Sequence, residues 1–303
     1  MSATRYWLAR ADAHWFGPVP AWPLALFRMG IAFVLLCYGA DRFAHLGELF
    51  GDSPARLPDL AMDAASRWGF LQAFYWEPLS EPAALAAAGV FGVAALALLV
   101  GYRARAAAGV LCIWMLLRIL FEWHTGFSID RSSVLVLFVL SLSPCSRVLA
   151  LDARRRSADS TPWRDARVSA WATRTLQWLF LSWYVLAGLS KLAGSWDLVP
   201  NYDVLYSQVQ GWYENDLAFW ALQHVPKPVF TLLQQMALYF ELYAPLLLVP
   251  RRLRPIGMLI GIGMHVGVAA LMAKLWFFSA EMICFYALFL PLSGGSSYRD
   301  APS

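Results

Sequence analysis

A lysine near the end of a membrane-length apolar run constrains this chain more than any other feature. Lys191 lies close to the end of the segment Thr173 to Ala193, whose roughly twenty residues are enough to cross a bilayer. In the middle of such a helix an ammonium costs at least about 2.5–3.5 kcal/mol, and less near the end, where its stem can carry the charge to the interface. A snorkelling lysine at a helix end is one account of it. A functional site inside the membrane is the other.

Composition fixes the class. With 59% hydrophobic residues, 15% charged residues and a mean hydropathy of +0.51, the chain is unlike a soluble domain, which carries about 25% charge. The expected fold is an all-α polytopic membrane protein, about eight transmembrane helices in one bundle with aromatic-rich outer loops. The apolar segments are 22–40, 82–100, 106–122, 131–146, 173–193, 229–249, 255–273 and 276–292. This predicts an N-terminal segment over 1–21, a transmembrane domain over 22–292 and a tail over 293–303. Residues 1–21 hold no apolar signal core, and Leu36 stands before Cys37 where a lipoprotein signal needs a small residue, so the first span is expected to stay as an anchor.

Arginines set the expected orientation. Most of the 24 Lys and Arg residues fall on one side of an eight-span arrangement: Arg5, Arg10, Arg103, Arg105, the run from Arg147 to Arg167, Arg251, Arg252, Arg254 and Arg299. The positive-inside rule then places both termini in the cytoplasm of a cell with this chain in its inner (plasma) membrane. The acids fall mostly on the outer side. Arg154, Arg155 and Arg156 read as a topology signal rather than a nucleic-acid site. Cys37, Cys112, Cys145 and Cys284 have no paired spacing and the five histidines are scattered, so neither a disulfide framework nor a tightly bound metal is expected.

The long outer segments, 41–81 and 194–228, carry Trp68, Phe70, Phe74, Tyr75 and Trp76, then Trp196, Tyr202, Tyr206, Trp212, Tyr213 and Trp220. Such aromatics either anchor at the headgroups or roof a cavity open to the outer face. Polar residues gather in the outer half of the spans: Arg118, Glu122, His124, Asp130, Arg131, Lys191 and Glu281, with Glu241 and His265 near mid-depth and Arg28 deeper. Acids and bases at one depth can neutralise each other by pairing, whereas a whole set facing one side implies a polar cavity. Tyr184, Gly188 and Lys191 share a helix face, as do Gly257, Gly261 and His265, and as do Gln234, Leu238, Glu241 and Pro245.

These residues resemble the vitamin K-dependent gamma-glutamyl carboxylases and their bacterial relatives with the horizontally transferred transmembrane (HTTM) domain. Ala187-Gly188-Leu189-Ser190-Lys191-Leu192, followed by Trp196, is similar to the family segment A-G-x-x-K-L with its later tryptophan. Leu26-Phe27-Arg28 with Gly30, the turn at Tyr102-Arg103, the acid Glu241 and the pair Met264-His265 match further family positions in order. The resemblance implies Lys191 and His265 as catalytic residues, with Arg28, Arg118, Asp130, Arg131, Tyr184, Trp196, Glu241 and Glu281 as substrate-binding candidates. It implies a reduced quinone, menaquinol or vitamin K-like, as cofactor, and quinol-dependent oxygenase, epoxidase or carboxylase-like chemistry, hence the classes oxidoreductase and lyase. The large lumenal domain that follows the spans in the eukaryotic carboxylase is not expected here, where eleven residues follow Leu292. No clean match stands for the family histidine near the start of the fourth span, where Asp130 and Arg131 lie.

Burial disfavours an ammonium, and a neutral amine is a base able to take a phenolic proton from a hydroquinone. A nearby acid opposes this by favouring the charged form, so the distance from Lys191 to Glu281 matters, and contact between them weakens the base reading. The partners expected are the bilayer, a quinone or other apolar small molecule, and a secreted peptide or membrane-protein partner. The rival functions are a non-catalytic quinone-, lipid- or peptide-binding maturation subunit and, less well supported, a transporter with broken midplane helices.

Overall fold

Prolines and one glycine mark where the helices of this chain begin and end. The computed structural model describes residues 3–46, 79–121, 128–155, 162–194, 196–197, 203–210, 214–273 and 275–290. Within these, the helices are α1 (Ala3–Phe16), α2 (Trp22–Phe43), α3 (Glu81–Val100), α4 (Ala104–Phe121), α5 (Ser128–Leu142), α6 (Leu151–Arg155), α7 (Trp171–Ala193), α8 (Val204–Val209), α9 (Asp216–His224), α10 (Lys227–Leu248), α11 (Arg254–Leu271) and α12 (Trp276–Phe285), which continues as a 3-10 turn over Tyr286–Phe289. Pro23, Pro82, Pro228 and Pro255 each occupy the first turn of a helix, where the missing N–H is not needed. The fold is all-α but for a short antiparallel ribbon that pairs β1 (Pro18–Pro20) with β2 (Arg167–Ser169), Val19 opposite Val168.

The fourth apolar segment differs from its sequence-based span. It was expected to run to residue 146, but α5 ends at Leu142, because Pro144 disfavours helical geometry in the residue before it. Three helices among the described residues are long and apolar enough to cross a membrane, α2, α3 and α11, and the stretch Trp276–Phe289 is apolar but shorter. Helices α4, α7 and α10 are as long, at 18, 23 and 22 residues. Each of them buries polar side chains, Arg118 in α4, Gln177 in α7, and Gln234 and Glu241 in α10.

The chain divides into two compact units, Met1–Arg174 and Thr175–Ser303, with the division inside the first turn of α7. In the first, α2 packs on α3, α3 on α4 and α4 on α5. Arg28 is fully buried on α2 beside Leu24, Phe27, Ile31 and Leu35. Its guanidinium donates to the carbonyls of Leu98 at 2.8 Å and Leu149 at 2.6 Å. Gly101 closes α3 with φ 71°, and a Cβ there would collide with the Arg28 guanidinium and with Ala150, which is why glycine ends this helix. Asp152 then accepts from the amides of Arg103 at 2.8 Å and Ala104 at 3.1 Å, placing a carboxylate at the start of α4. In the second unit, α10 packs against α8 and α11, and α11 also meets α9 and α12.

Several sequence candidates lie outside the described residues: Trp68, Phe70, Phe74, Tyr75 and Trp76 of the first outer segment, Glu122 and His124, Tyr202, Trp212 and Tyr213, Arg156, and the tail 293–303.

Candidate functional site

Gly188 sets the geometry of the second unit's site. A Cβ on it would stand 2.9 Å from the Leu242 side chain, so its bare backbone lets α10 approach α7 closely. Glu241, the residue before Leu242, then reaches Lys191, and the two form an ion pair. The lysine side chain keeps 22% exposure and the carboxylate 10%, so the pair lies at the edge of the packed interior. On another side the Trp196 ring lies 5.3 Å from the ammonium, within reach of a cation–π attraction. Trp196 is held in turn: its carbonyl accepts from Gln234 Nε2 at 2.7 Å and Gln235 Nε2 at 2.9 Å. The Gln234 carbonyl accepts from the Leu205 amide at 2.9 Å, at the start of α8.

A second polar group lies along the same face of α7. The Tyr184 hydroxyl is 2.8 Å from His265 Nε2 and 2.7 Å from the Tyr286 hydroxyl. All three side chains are almost wholly buried, as hydrogen-bonded polar groups must be in a core this apolar. Rings surround them: Phe180 stacks on Phe285 at 4.8 Å, and Phe240 meets Tyr184 edge-on at 5.3 Å. The Gly257, Gly261, His265 stripe is explained by packing. Gly257 faces Leu247 and Leu248, while Gly261 faces Phe240 and lies directly against the Tyr286 hydroxyl.

Phe240 also lines a cleft of about 320 Å³ between α10 and α11, closed at one end by Leu205 and Val209 and bordered by Gly263, Met264 and Gly267. The cleft is almost entirely apolar, as hydrocarbon requires. Phe240 touches the cleft on one side and the Tyr184 ring on the other.

The first unit gathers its own set. Asp130 of α5 accepts from the Tyr38 hydroxyl of α2 at 2.6 Å and pairs with Arg118 of α4 at 2.5 Å, with all three buried. The Arg42 and Arg118 guanidinium carbons lie 5.2 and 6.0 Å from the Tyr38 ring.

The residues singled out in the sequence thus fall into place as follows. Lys191, Glu241 and Trp196 come together, Tyr184 and His265 come together, and Arg118 meets Asp130, each group within one unit. Arg131 is exposed beside buried Asp130, and Glu281 is buried on α12. Arg28 is engaged by main-chain carbonyls. The carboxylate that meets Lys191 is Glu241, whereas Glu281 had been the acid of concern. Sequence reasoning missed Tyr38 and Tyr286, whose signal was a hydroxyl inside an otherwise apolar run. Among the described residues no three His, Cys, Asp or Glu side chains are arranged to hold a metal ion.

No curated protein and no solved structure matches the chain. The sequence model of the HTTM domain matches residues 59–293, from before α3 to beyond α12. With that match covering well over half of its length, the chain belongs to the HTTM domain family.

Proposed function

We propose that this protein is a multi-pass membrane enzyme that binds a reduced quinone, menaquinol or a vitamin K-like hydroquinone, and supports its oxidation by oxygen, with Lys191 as the base. The observation that carries the reading is the Lys191 side chain at the edge of the packed interior with the Trp196 ring 5.3 Å from its ammonium, while the Glu241 carboxylate beside it favours the charged form and works against it. Eight spans with both termini in the cytoplasm of an inner membrane accommodate the three apolar helices, the further long helices α4, α7 and α10, and the arginine distribution.

The residues present fit such a ligand. The apolar cleft suits a hydrocarbon tail, Trp196 suits a flat ring, and His265 offers a buried ring nitrogen, Nδ1, with no protein partner among the described residues. A reduced quinone supplies the electrons for oxygen reduction. The pair with Glu241 changes how Lys191 works. Before accepting a phenolic proton, Lys191 passes one of its own from Nζ to the Glu241 carboxylate, which converts an ion pair into a neutral amine and a neutral acid with no net change in charge. A neutral amine at Nζ would then be the group able to accept a phenolic proton from a bound hydroquinone, returning to the ammonium. Tyr184, His265 and Glu281 supply polar contacts around the ring.

The same pair favours a second reading, a non-catalytic maturation subunit that binds a quinone, lipid or secreted peptide, because a lysine neutralised by Glu241 needs no chemistry to explain it. Lys191→Arg and Lys191→Ala separate the two. The enzyme reading expects both variants to fold and both to lose oxygen-dependent quinol turnover, with partial rescue of the alanine variant by a small exogenous amine, because a guanidinium keeps its proton. Turnover retained in Lys191→Arg makes the lysine a binding cation and selects the second reading. Mass spectrometry of lipids extracted from the purified protein names the quinone.

A further inference from the structure

Counting hydrogens along Tyr286, Tyr184 and His265 assigns a direction to this chain of hydrogen bonds. The Tyr184 hydroxyl is bonded to both His265 Nε2 and the Tyr286 hydroxyl, and the Tyr286 hydroxyl has no other hydrogen-bond partner among the described residues. His265 Nδ1 is buried without a hydrogen-bond partner among the described residues. No described carboxylate pairs with His265, and a buried imidazolium needs one, so the ring is neutral and carries one N–H.

Three arrangements are open to a neutral ring. If Nε2–H donates to Tyr184 and Tyr184 donates to Tyr286, the Tyr286 hydrogen is left buried with no acceptor and Nδ1 is left as a bare lone pair. If Tyr184 accepts from both neighbours, its own hydrogen is stranded, and Nδ1 is again bare. If Tyr286 donates to Tyr184 and Tyr184 donates to Nε2, both hydroxyl hydrogens are used and one group is left over, an Nδ1–H donor. A stranded buried donor costs about 1–3 kcal/mol, and each of the first two arrangements strands a hydroxyl hydrogen and a nitrogen lone pair together.

We infer that Tyr184, its hydroxyl held by that of Tyr286, is a positioning residue that fixes His265 in the Nδ1–H form, making it a hydrogen-bond donor to an acceptor oxygen, a carbonyl or phenolate, of the bound ligand. This rests on the quinone reading for the identity of that oxygen, but the tautomer follows from the protein alone. It gives His265 the role of a donor that stabilises negative charge on oxygen rather than of a base, leaving proton removal to Lys191. Gly261 belongs to the device, because a side chain there would displace the Tyr286 hydroxyl that starts the chain.

The test is nitrogen NMR of the full-length protein in lipid nanodiscs, labelled with ¹⁵N in the histidine rings. His265→Asn identifies the His265 signals among the five histidines. Long-range proton–nitrogen couplings then report which ring nitrogen carries the proton. The expected result is Nδ1–H in the native protein, Nδ1–H retained in Tyr286→Phe, where Tyr184 still donates to Nε2, and a mixture of tautomers in Tyr184→Phe, where nothing favours either nitrogen. An Nε2–H ring in the native protein overturns the inference, and so does a Tyr184→Phe spectrum unchanged from the native one. A short-chain naphthoquinone is then added, with binding measured separately by tryptophan quenching. Displacement of the Nδ1–H resonance on binding supports the assigned acceptor, and binding without displacement overturns it. If no quinone binds while the tautomer pattern holds, the quinone reading falls and the positioning role of Tyr184 stands.

Discussion

The Lys191 ammonium bonds the Glu241 carboxylate beside the point where Gly188 lets α10 approach α7. The pair and the helix contact therefore depend on each other. Removing one partner leaves a charge in a largely apolar setting. Lys191→Met and Glu241→Leu are each expected to destabilise the protein by about 1–3 kcal/mol, less than the roughly 3–5 kcal/mol of a fully enclosed pair, because the lysine keeps 22% exposure. The double variant Lys191→Met/Glu241→Leu is expected to recover most of that loss. Unfolding in mild detergent measures all three, and a double variant as unstable as the sum of the singles refutes the coupling.

Gly261→Ala tests the packing beneath Tyr286. The added methyl overlaps the Tyr286 hydroxyl and stands 2.7 Å from the tip of Phe240, so something must shift. A loss of about 1–3 kcal/mol is expected. Tyr286→Phe removes the worst of the overlap, so Gly261→Ala is expected to cost less in that background than in the native one. Equal costs in the two backgrounds would mean that the hydroxyl is not the obstacle.

Arg28 separates a structural role from a ligand-binding one. Its two bonds to the carbonyls of Leu98 and Leu149 hold the end of α3 against the segment leading into α6. Arg28→Met leaves both carbonyls without this donor, and about 3 kcal/mol of stability is expected to go with them. Lysine cannot span both acceptors with a planar fork, so Arg28→Lys is expected to fall between. Quinone binding per folded molecule is expected to remain native in both, and a selective loss of binding in a stably folded Arg28→Lys returns this residue to the site.

What the sequence made legible follows from how rare polar groups are in apolar runs. Lys191, Glu241, Tyr184 and His265 stood out singly, and the spacing of Tyr184, Gly188 and Lys191 placed them on one face, as the structure has them. Their partners were not legible. Glu241 and Glu281 are both acids within apolar helices, and only the close approach at Gly188 selects Glu241 for Lys191. Tyr38, Arg118 and Asp130 come from three helices far apart in sequence, so no local pattern links them. Tyr286 reads as one more aromatic of an apolar segment until Gly261 is seen to make room for its hydroxyl. The early end of α5 was visible in Pro144, which disfavours helical geometry in the residue before it.

Topology gives a test independent of chemistry. The basic residues that argue for a cytoplasmic side are described in part: Arg154 and Arg155 lie exposed on α6, with the Arg155 guanidinium 4.8 Å from the Tyr102 ring. Glu214, exposed just before α9, belongs to an outer segment in the proposed eight-span arrangement. In a background with the four native cysteines replaced by Ala or Ser, Arg155→Cys is expected to resist a membrane-impermeant thiol reagent in intact cells and to react once the membrane is opened. Glu214→Cys is expected to react in both. A hidden position is silent in both states, so the reaction of Arg155→Cys in opened membranes is the necessary control. Labelling of Arg155→Cys in intact cells reverses the orientation and moves the Lys191 site away from the outer half of the membrane. Protection of both positions in intact cells removes a crossing between them and overturns the eight-span arrangement.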